Sequence, residues 1–233
     1  MLLKSKITDI QPSIDPIQNE KFVLAKLGRF TSSEIHFLMG ERGIGQSGLN
    51  YIYRKVGEKI SGRSSKQDIS TAATEHGLNY EREGLVAFGK KIGIESLLVQ
   101  RLILDDDGYC GGTPDGLIVL NESTDKLSYN VKTVEIKCPY TFDNYIRLWK
   151  CKTPQDLKKE ESKYFWQVIS QLDLCDCLQG YFVCYMPFFE KGNLNIIEFK
   201  KIDLINDFKL LAQRKNEAIK IFNETISELI NGG

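Results

Sequence analysis

The sequence predicts a mixed α/β domain in which a central mixed β-sheet is flanked by helices. Apolar residues recur at helical spacing near both ends of the chain and in its middle, and short β-like runs fall between these stretches. No internal repeat or low-complexity linker interrupts the 233 residues, which suit one domain. The predicted order is helices, strands, a helix, strands and a closing helix.

The N-terminal part is predicted to be mainly helical after an irregular start. Residues 1–20 contain Pro12 and Pro16 and are expected to form an irregular or docking arm. Thr31, Ser32 and Ser33 have the composition of an N-cap ahead of a short helix. Further helices are expected at about 47–54 and 71–91, with a loop at 61–68 between them.

From residue 97 onward, strands and turns alternate until the chain becomes helical again. The runs at 97–104, 117–120 and 129–138 are strand-like, and 105–108 and 121–125 have turn composition. A helix is expected at 162–175, strands at 180–186 and 194–199, and a long C-terminal helix at 203–230.

Bulk composition limits the functional classes. Lys plus Arg and Asp plus Glu both number 31, so net charge predicts no general attraction to nucleic acid. The six cysteines lack C-x-x-C spacing and are expected to be reduced, mostly buried thiols. No apolar run resembles a signal peptide or a membrane span, so we expect a cytoplasmic protein without a membrane partner.

Asp115, Glu135 and Lys137 form the pattern that points to chemistry. Glu135 and Lys137 lie two residues apart on a predicted strand and share a face, whereas Ile136 points the other way into the core. Taken alone, this is compatible with an ordinary ion pair. Asp115 lies in a glycine-rich turn just before the predicted strand at 117–120. A turn joins this strand to the one that carries Glu135, so the two strands could bring both carboxylates to one cation.

Such a site suits Mg²⁺, with Mn²⁺ as an alternative. Two hard carboxylates, a backbone carbonyl and water are the ligands these ions prefer. A bound ion would polarise a scissile phosphate and lower the pKa of an attacking water. Lys137 would then position the water or stabilise the charge that develops on the phosphate. The pattern therefore favours phosphodiester hydrolysis.

Four segments, in order, resemble the phage lambda exonuclease and YqaJ-type viral recombinase family of PD-(D/E)xK nucleases. They are KLGRFTSSEI at 26–35, HGLNYE at 76–81, TPDG at 113–116 together with EIKCP at 135–139, and YFWQVISQ at 164–171. The resemblance implies a restriction-endonuclease-like core and metal-dependent 5′→3′ degradation of linear double-stranded DNA. It also implies 3′ single-stranded tails, a homo-oligomer such as a trimer, and a single-strand annealing partner.

The resemblance also implies a role for individual residues. Metal ligands would be Glu81, Asp115, Glu135 and the backbone carbonyl of Ile136, and Gln167 would join Asp115, Glu135 and Lys137 as a catalytic residue. DNA or its 5′-phosphate would be bound by Lys26, Arg29, Ser33, Thr113, Tyr164 and Gln171. Lys26 and Thr113 stand where the lambda pattern has arginine and serine, and lysine lacks the bidentate fork of arginine.

Alternatives stay open at this point. Glu81 could pair with a nearby cation, and Gln167 and Gln171 could form a solvent-facing stripe. The chain could also be an iron–sulfur nuclease of the CRISPR or helicase type, although the cysteine spacing does not favour this. A non-catalytic DNA-binding or assembly protein on a nuclease fold is a third possibility. His36 and His76 are expected to be surface or packing residues.

Overall fold

The computed structural model describes residues 8–13, 15–64, 71–94, 97–119 and 131–232. Within them, the α-helices are α1 Pro16–Lys26, α2 Gln46–Ser61, α3 Ala72–Ile92, α4 Phe142–Lys150, α5 Pro154–Glu160, α6 Ser162–Leu174 and α7 Ile205–Asn231. The strands are β1 Phe30–Thr31, β2 Leu98–Val99, β3 Ile103–Leu104, β4 Cys110–Gly112, β5 Gly116–Val119, β6 Val131–Lys137, β7 Gln179–Tyr185 and β8 Leu194–Lys200. Short 3₁₀ helices occupy Ile35–Leu38 and Lys201–Leu204.

The strands form two sheets where the sequence predicted one. The larger sheet has the order β2-β5-β6-β7-β8, and the smaller has the order β1-β4-β3. In the larger sheet β6 and β7 are parallel and the other neighbours are antiparallel. The connection from β6 to β7 contains α4, α5 and α6, because a parallel pair requires a crossover. The predicted mixed α/β architecture is confirmed.

The larger sheet is covered by helices on both faces. On one face, Phe182 and Cys184 of β7 belong to a buried cluster shared with α6 and with Phe208 of α7. On the other face, Ile136 packs with Leu85 and Phe88 of α3. Strand alternation therefore sends Glu135 and Ile136 to opposite helical layers. This two-sided cover keeps the central strands β6 and β7 away from solvent.

Helix α3 has clear end signals. Thr71 caps its N-terminus, where its side chain accepts a hydrogen bond from the amide of Thr74, and Gly93 ends it in the left-handed conformation. The predicted helix at 71–91 is thus confirmed almost residue for residue. Leu78, however, lies on the exposed face of α3 rather than in the apolar stripe where periodicity placed it.

Other elements differ from the predictions. The strand-like run 97–104 is two short strands in different sheets, broken at Gln100, whose φ of 48° is left-handed. The N-terminal arm contains α1, and the amide of Leu102 donates to the carbonyl of Ile10. Helices α4 and α5 were not predicted. The predicted turn at 121–125 lies outside the described residues.

None of the helices in the described part of the chain is long and apolar enough to cross a membrane.

Candidate active site

The pairing of β5 with β6 places Asp115 opposite Glu135. The antiparallel register joins Gly116 to Val134, so the next residue pair outward is Asp115 and Glu135. The backbone amide of Ile136 donates a hydrogen bond to Asp115 Oδ2 over 2.7 Å. The structure therefore brings together the two carboxylates that the sequence pattern singled out.

Glu135 is 1% exposed and is surrounded by hydrogen-bond donors. Its Oε1 accepts from Lys137 Nζ and, over 2.5 Å, from Gln167 Nε2. Its Oε2 accepts from Gln171 Nε2, also over 2.5 Å. An ionised carboxylate has about four acceptor positions, so these three bonds leave one on Oε2 free for a further partner. The carboxylate is fixed in place without being saturated.

Helix α6 supplies the two glutamines. Gln167 and Gln171 are one helical turn apart and face β6, so both amides reach the same carboxylate. The alternative of a solvent-facing stripe is wrong, because both side chains are buried. Gln171, predicted to bind DNA, is 1% exposed and holds Glu135 instead, a placement that does not fit direct DNA contact.

Lys137 lies at the end of β6 with its ammonium against Glu135. Burial alone would lower the pKa of Lys137, but the carboxylates of Glu135 and Asp115 outweigh it and raise that pKa above the ordinary value. The two carboxylates therefore favour the charged form of Lys137. Its Nζ also lies 5.4 Å from the ring centre of Tyr164, which comes from α6.

The surroundings of Asp115 disfavour the charged form of its carboxylate. Burial, together with the neighbouring carboxylates of Glu135 and Glu81, raises the pKa of Asp115 well above its ordinary value. Lys137 and the Ile136 amide oppose this rise only in part. Two carboxylates, Asp115 and Glu135, lie beside one ammonium, and Glu81 adds negative charge near Asp115. This excess of negative charge is the electrostatic setting of a cation site.

Glu81 is held at the edge of this cluster by a residue that the sequence did not single out. Gln100 Nε2 donates to Glu81 Oε1 over 2.6 Å, and the Gln100 amide donates to the carbonyl of Asp115 over 3.4 Å. Gln100 is also one of the two non-glycine residues with positive φ among those described. Strained backbone often accompanies functional sites. A single sequence gives no signal for it, because glutamine does not ordinarily adopt this conformation.

A cleft of about 470 Å³ opens beside Lys137. Its walls come from α3, the end of β6, α4 and the start of α6, and they include three cations. The lining residues that matter below are Glu81, Lys137, Tyr140, Arg147, Lys163 and Tyr164. The predicted DNA-contact residue Tyr164 is thus placed in the cleft beside the catalytic candidates.

The other predicted DNA contacts lie outside that cleft wall. Ser33 and Thr113 follow neighbouring parallel strands whose register pairs Thr31 with Gly111, so they leave the small sheet side by side. Ser33 is exposed, and the buried hydroxyl of Thr113 makes no hydrogen bond within the described residues.

The two basic candidates, Lys26 and Arg29, come shortly before Ser33 in the sequence. Lys26 Nζ lies 4.6 Å from the ring centre of Phe22, and Arg29 Nη1 donates to the carbonyl of Ala25 over 2.8 Å. Neither Lys26 nor Arg29 is among the residues that line the cleft. Lys26 and Arg29 precede β1, whereas Ser33 and Thr113 follow β1 and β4. We call these four residues the candidate group near the small sheet.

Cysteine and histidine contribute no metal site in the part of the chain described. All six cysteines are buried, as expected, and no three His, Cys, Asp or Glu side chains there lie close enough together to hold an ion as they stand. His76 is buried against aromatic rings, which confirms its packing role. Cys138 lines the cleft, but burial raises the pKa of its thiol to about 12.

Three solved structures of similar fold are described as exonucleases. An alkaline exonuclease (LHK-Exo) from Laribacter hongkongensis superposes with a TM-score of 0.69 at 19% identity, covering 91% of this chain and 97% of that one. The same protein in complex with dAMP gives 0.69 at 20% identity, with the same coverage. A phage-related exonuclease from Haemophilus somnus gives 0.64 at 13% identity, covering 86% and 96%. At these identities the likeness establishes the fold.

Comparison of the sequence with family models identifies the family, which the fold alone does not. No curated protein matches the chain. Residues 21–177, however, match the YqaJ-like viral recombinase domain, and they include Asp115, Glu135, Lys137 and both buried glutamines. Because this match spans most of the sequence, the chain belongs to the family of YqaJ-like viral recombinase domains.

Proposed function

We propose that this chain is a divalent-metal-dependent exonuclease that degrades linear double-stranded DNA. The observation that carries the proposal is the arrangement at the adjoining ends of β5 and β6, where Asp115 accepts from the Ile136 amide and Lys137 is paired with Glu135. Family membership and the exonuclease descriptions of similar folds support it. A non-catalytic role is less favoured, because a purely structural site has no need for this excess of buried negative charge.

The residues present fit a hard divalent cation such as Mg²⁺ or Mn²⁺. All candidate ligands are oxygens, namely the carboxylates of Asp115 and Glu135 and the carbonyl of Ile136. A cation would also relieve the repulsion that raises the pKa of Asp115. Glu81 would join as a ligand through Oε2, since the hydrogen bond from Gln100 is accepted by Oε1. When bound, the ion would polarise the scissile phosphate and activate water.

Residues of the chain itself would stabilise charge, position the Glu135 carboxylate and attract the DNA backbone. Lys137, held protonated by its carboxylate neighbours, faces the cleft and stabilises negative charge that develops on the phosphate. Gln167 and Gln171 fix the Glu135 carboxylate, so it needs no reorganisation when substrate arrives. Arg147 and Lys163 on the cleft wall would attract the phosphate backbone.

The polarity of digestion rests on the group near the small sheet. Lys26, Arg29, Ser33 and Thr113 would bind the 5′-phosphate, and the unpaired Thr113 hydroxyl offers a hydrogen bond for it. We therefore propose 5′→3′ digestion that leaves 3′ single-stranded tails. Assembly into a homo-oligomer such as a trimer, and an annealing partner for those tails, stay predictions from the family resemblance.

A metal-dependence assay with a lysine variant tests the nuclease proposal. The purified chain should degrade linear duplex DNA with Mg²⁺ and not with EDTA, and Lys137→Ala should lower kcat by about 100- to 1,000-fold. Lys132→Ala, on the same strand, is the matched control and should retain activity. Full activity of Lys137→Ala, or of the wild-type chain in EDTA, would reject the proposed mechanism.

The ends of the substrate test the direction separately. Linear duplexes with 5′-phosphate or 5′-hydroxyl ends and a closed circular duplex should be digested in that order of decreasing rate, with the circle resistant. Ser33→Ala and Thr113→Val should reduce the preference for 5′-phosphate. Equal digestion of both linear forms would remove the 5′-phosphate site and leave the nuclease assignment standing.

A further inference from the structure

Four rings form a compact aromatic surface at the edge of the candidate active-site cleft. We name this surface, which consists of His76, Tyr80, Tyr140 and Phe188, the aromatic rim. Tyr140 follows β6 and lines the same cleft as Lys137. Tyr140 is 56% exposed and Phe188 is 59% exposed. Large aromatic side chains so open to solvent, and grouped beside a cleft, mark a contact surface.

The rim is held together from three separate parts of the chain. The ring centre of His76 on α3 lies 4.7 Å from that of Tyr80, 5.5 Å from that of Tyr140 and 5.9 Å from that of Phe188. The ring centres of Tyr80 and Phe188 are 5.6 Å apart, with the rings nearly perpendicular. Because the rings support each other at aromatic packing distances, the exposed pair loses little conformational entropy on binding.

His76 adds a second observation that points to a ligand. Its side chain is buried at the centre of the rim, yet Nε2 makes no hydrogen bond to any other described residue. Buried polar atoms in proteins are nearly always hydrogen-bonded. The exposed rings of Tyr140 and Phe188, both in contact with His76, therefore suit a flat ligand whose edge carries polar atoms.

The charges next to the rim select the class of ligand. Lys137, Arg147 and Lys163 line the cleft that Tyr140 borders, although Arg147 is also paired with Glu160. Aromatic rings beside cations are the arrangement by which proteins hold single-stranded nucleic acid, with bases stacked on rings and phosphates on cations. An apolar protein segment would use the rings but would offer no negative charge to these cations.

From these observations we propose that the aromatic rim stacks on unpaired nucleobases of the DNA strand whose phosphate enters the cleft. The inference rests on the proposed function and adds a substrate preference to it, for strands whose bases near the scissile phosphate are unpaired. Tyr140 and Phe188 are the stacking residues, and His76 and Tyr80 are positioning residues.

Fluorescence binding in EDTA tests stacking without cleavage. The probe is a single-stranded DNA oligonucleotide with 2-aminopurine near its 5′ end, whose emission falls when the base stacks on an aromatic ring. The wild-type chain should quench it. Tyr140→Leu and Phe188→Leu, which keep an apolar side chain but remove the ring, should weaken binding between about 5- and 100-fold and lose the quenching. Tyr53→Leu, which removes a 49% exposed ring on α2, should change neither.

An abasic nucleotide separates stacking from general affinity. Removing the base should weaken binding to the wild-type chain but leave binding to Tyr140→Leu and Phe188→Leu unchanged, because the interacting ring is already gone. Equal loss in all three proteins would overturn the stacking site. Degradation of duplex DNA by a wild-type chain that shows no quenching would overturn only this inference, whereas absence of both would reject the proposed function as well.

Discussion

Glu135 shows how individual residues prepare the site. Three donors from two elements converge on a carboxylate that is almost fully buried, and burying a charge is costly unless it is paired and hydrogen-bonded. Gln167 and Gln171 are uncharged, so they satisfy the oxygens without cancelling the negative charge. Lys137 neutralises it in part, and Lys137 is shared with Asp115. The local charge therefore stays negative, as a cation site requires.

At this scale, Gln171 distinguishes a positioning role from a DNA contact. Gln171→Met keeps the length of the side chain but removes the amide that donates to Glu135 Oε2. We expect kcat to fall by about 10- to 100-fold, with the Kd for duplex DNA nearly unchanged. Rates from single-turnover cleavage and Kd from binding in EDTA would measure the two effects.

The control for Gln171 is an exposed glutamine on another helix. Gln46→Met on α2 should leave both constants at their wild-type values. A large increase in Kd for Gln171→Met, with kcat preserved, would return this residue to the DNA interface predicted from the family resemblance.

At the scale of elements, the sequence predicted what depends on local pattern. Helix α3 was located by the helical spacing of its apolar residues and β6 by its strand-like run, so the shared face of Glu135 and Lys137 was predicted correctly from the sequence. Gln100 was not found, because its left-handed φ depends on how β2 and β3 enter different sheets. Helix α4 was not predicted, although it is amphipathic and buries Tyr145 and Leu148, which are three residues apart.

The approach of α3 to the sheet gives an element-scale prediction. A Cβ at Gly84 would lie 3.2 Å from Ile136 Cγ2 and 3.2 Å from Tyr185 Cβ, so glycine lets the helix pack closely against β6 and β7. Gly84→Val should lower the free energy of unfolding by about 1–3 kcal/mol through overpacking. Activity should also fall, because Glu81 lies one turn away on the same helix. Urea unfolding and cleavage rates measure these effects.

Gly57 provides the matched substitution. A Cβ there would meet no atom within 4 Å, and the residue is exposed on α2. Gly57→Val should therefore change stability by no more than about 0.5 kcal/mol, since valine is slightly better than glycine in a helix. If both variants had the same stability, close packing of α3 would not be what requires glycine at position 84.

For the molecule as a whole, we expect the candidate site to lower the stability of the folded chain when no cation is bound. The chain is neutral overall, yet the carboxylates of Glu81 and Glu135 both act on Asp115, with Lys137 as the neighbouring cation. The order of the sheet makes this grouping of charges unavoidable, because β5 and β6 are neighbours and α3 covers their ends. Folding without a cation must therefore bring like charges together, and cation binding and global stability should be linked.

Asp115→Asn tests this linkage. Burial and the nearby carboxylates raise the pKa of Asp115 above its ordinary value of 3.8, so above pH 3.8 the folded chain keeps a proton that the unfolded chain has lost. Through that window the contribution of Asp115 to stability falls as pH rises. As the pH rises above 3.8 in EDTA, the Tm of the wild-type chain should therefore drop relative to that of Asp115→Asn. The asparagine can still accept the hydrogen bond from the Ile136 amide, so this pairing is preserved.

Mg²⁺ should reverse the difference. At a free concentration about 100 times its Kd, an ion that binds only the folded state adds about 2.7 kcal/mol of stability. The wild-type chain should gain this stabilisation at neutral pH, and Asp115→Asn should gain much less, because it lacks one ligand charge. Calorimetric scans of both proteins with Mg²⁺ and with EDTA measure all four cases. Equal Mg²⁺ stabilisation of both would mean that the ion binds elsewhere, and Asp115 would lose its place as a ligand.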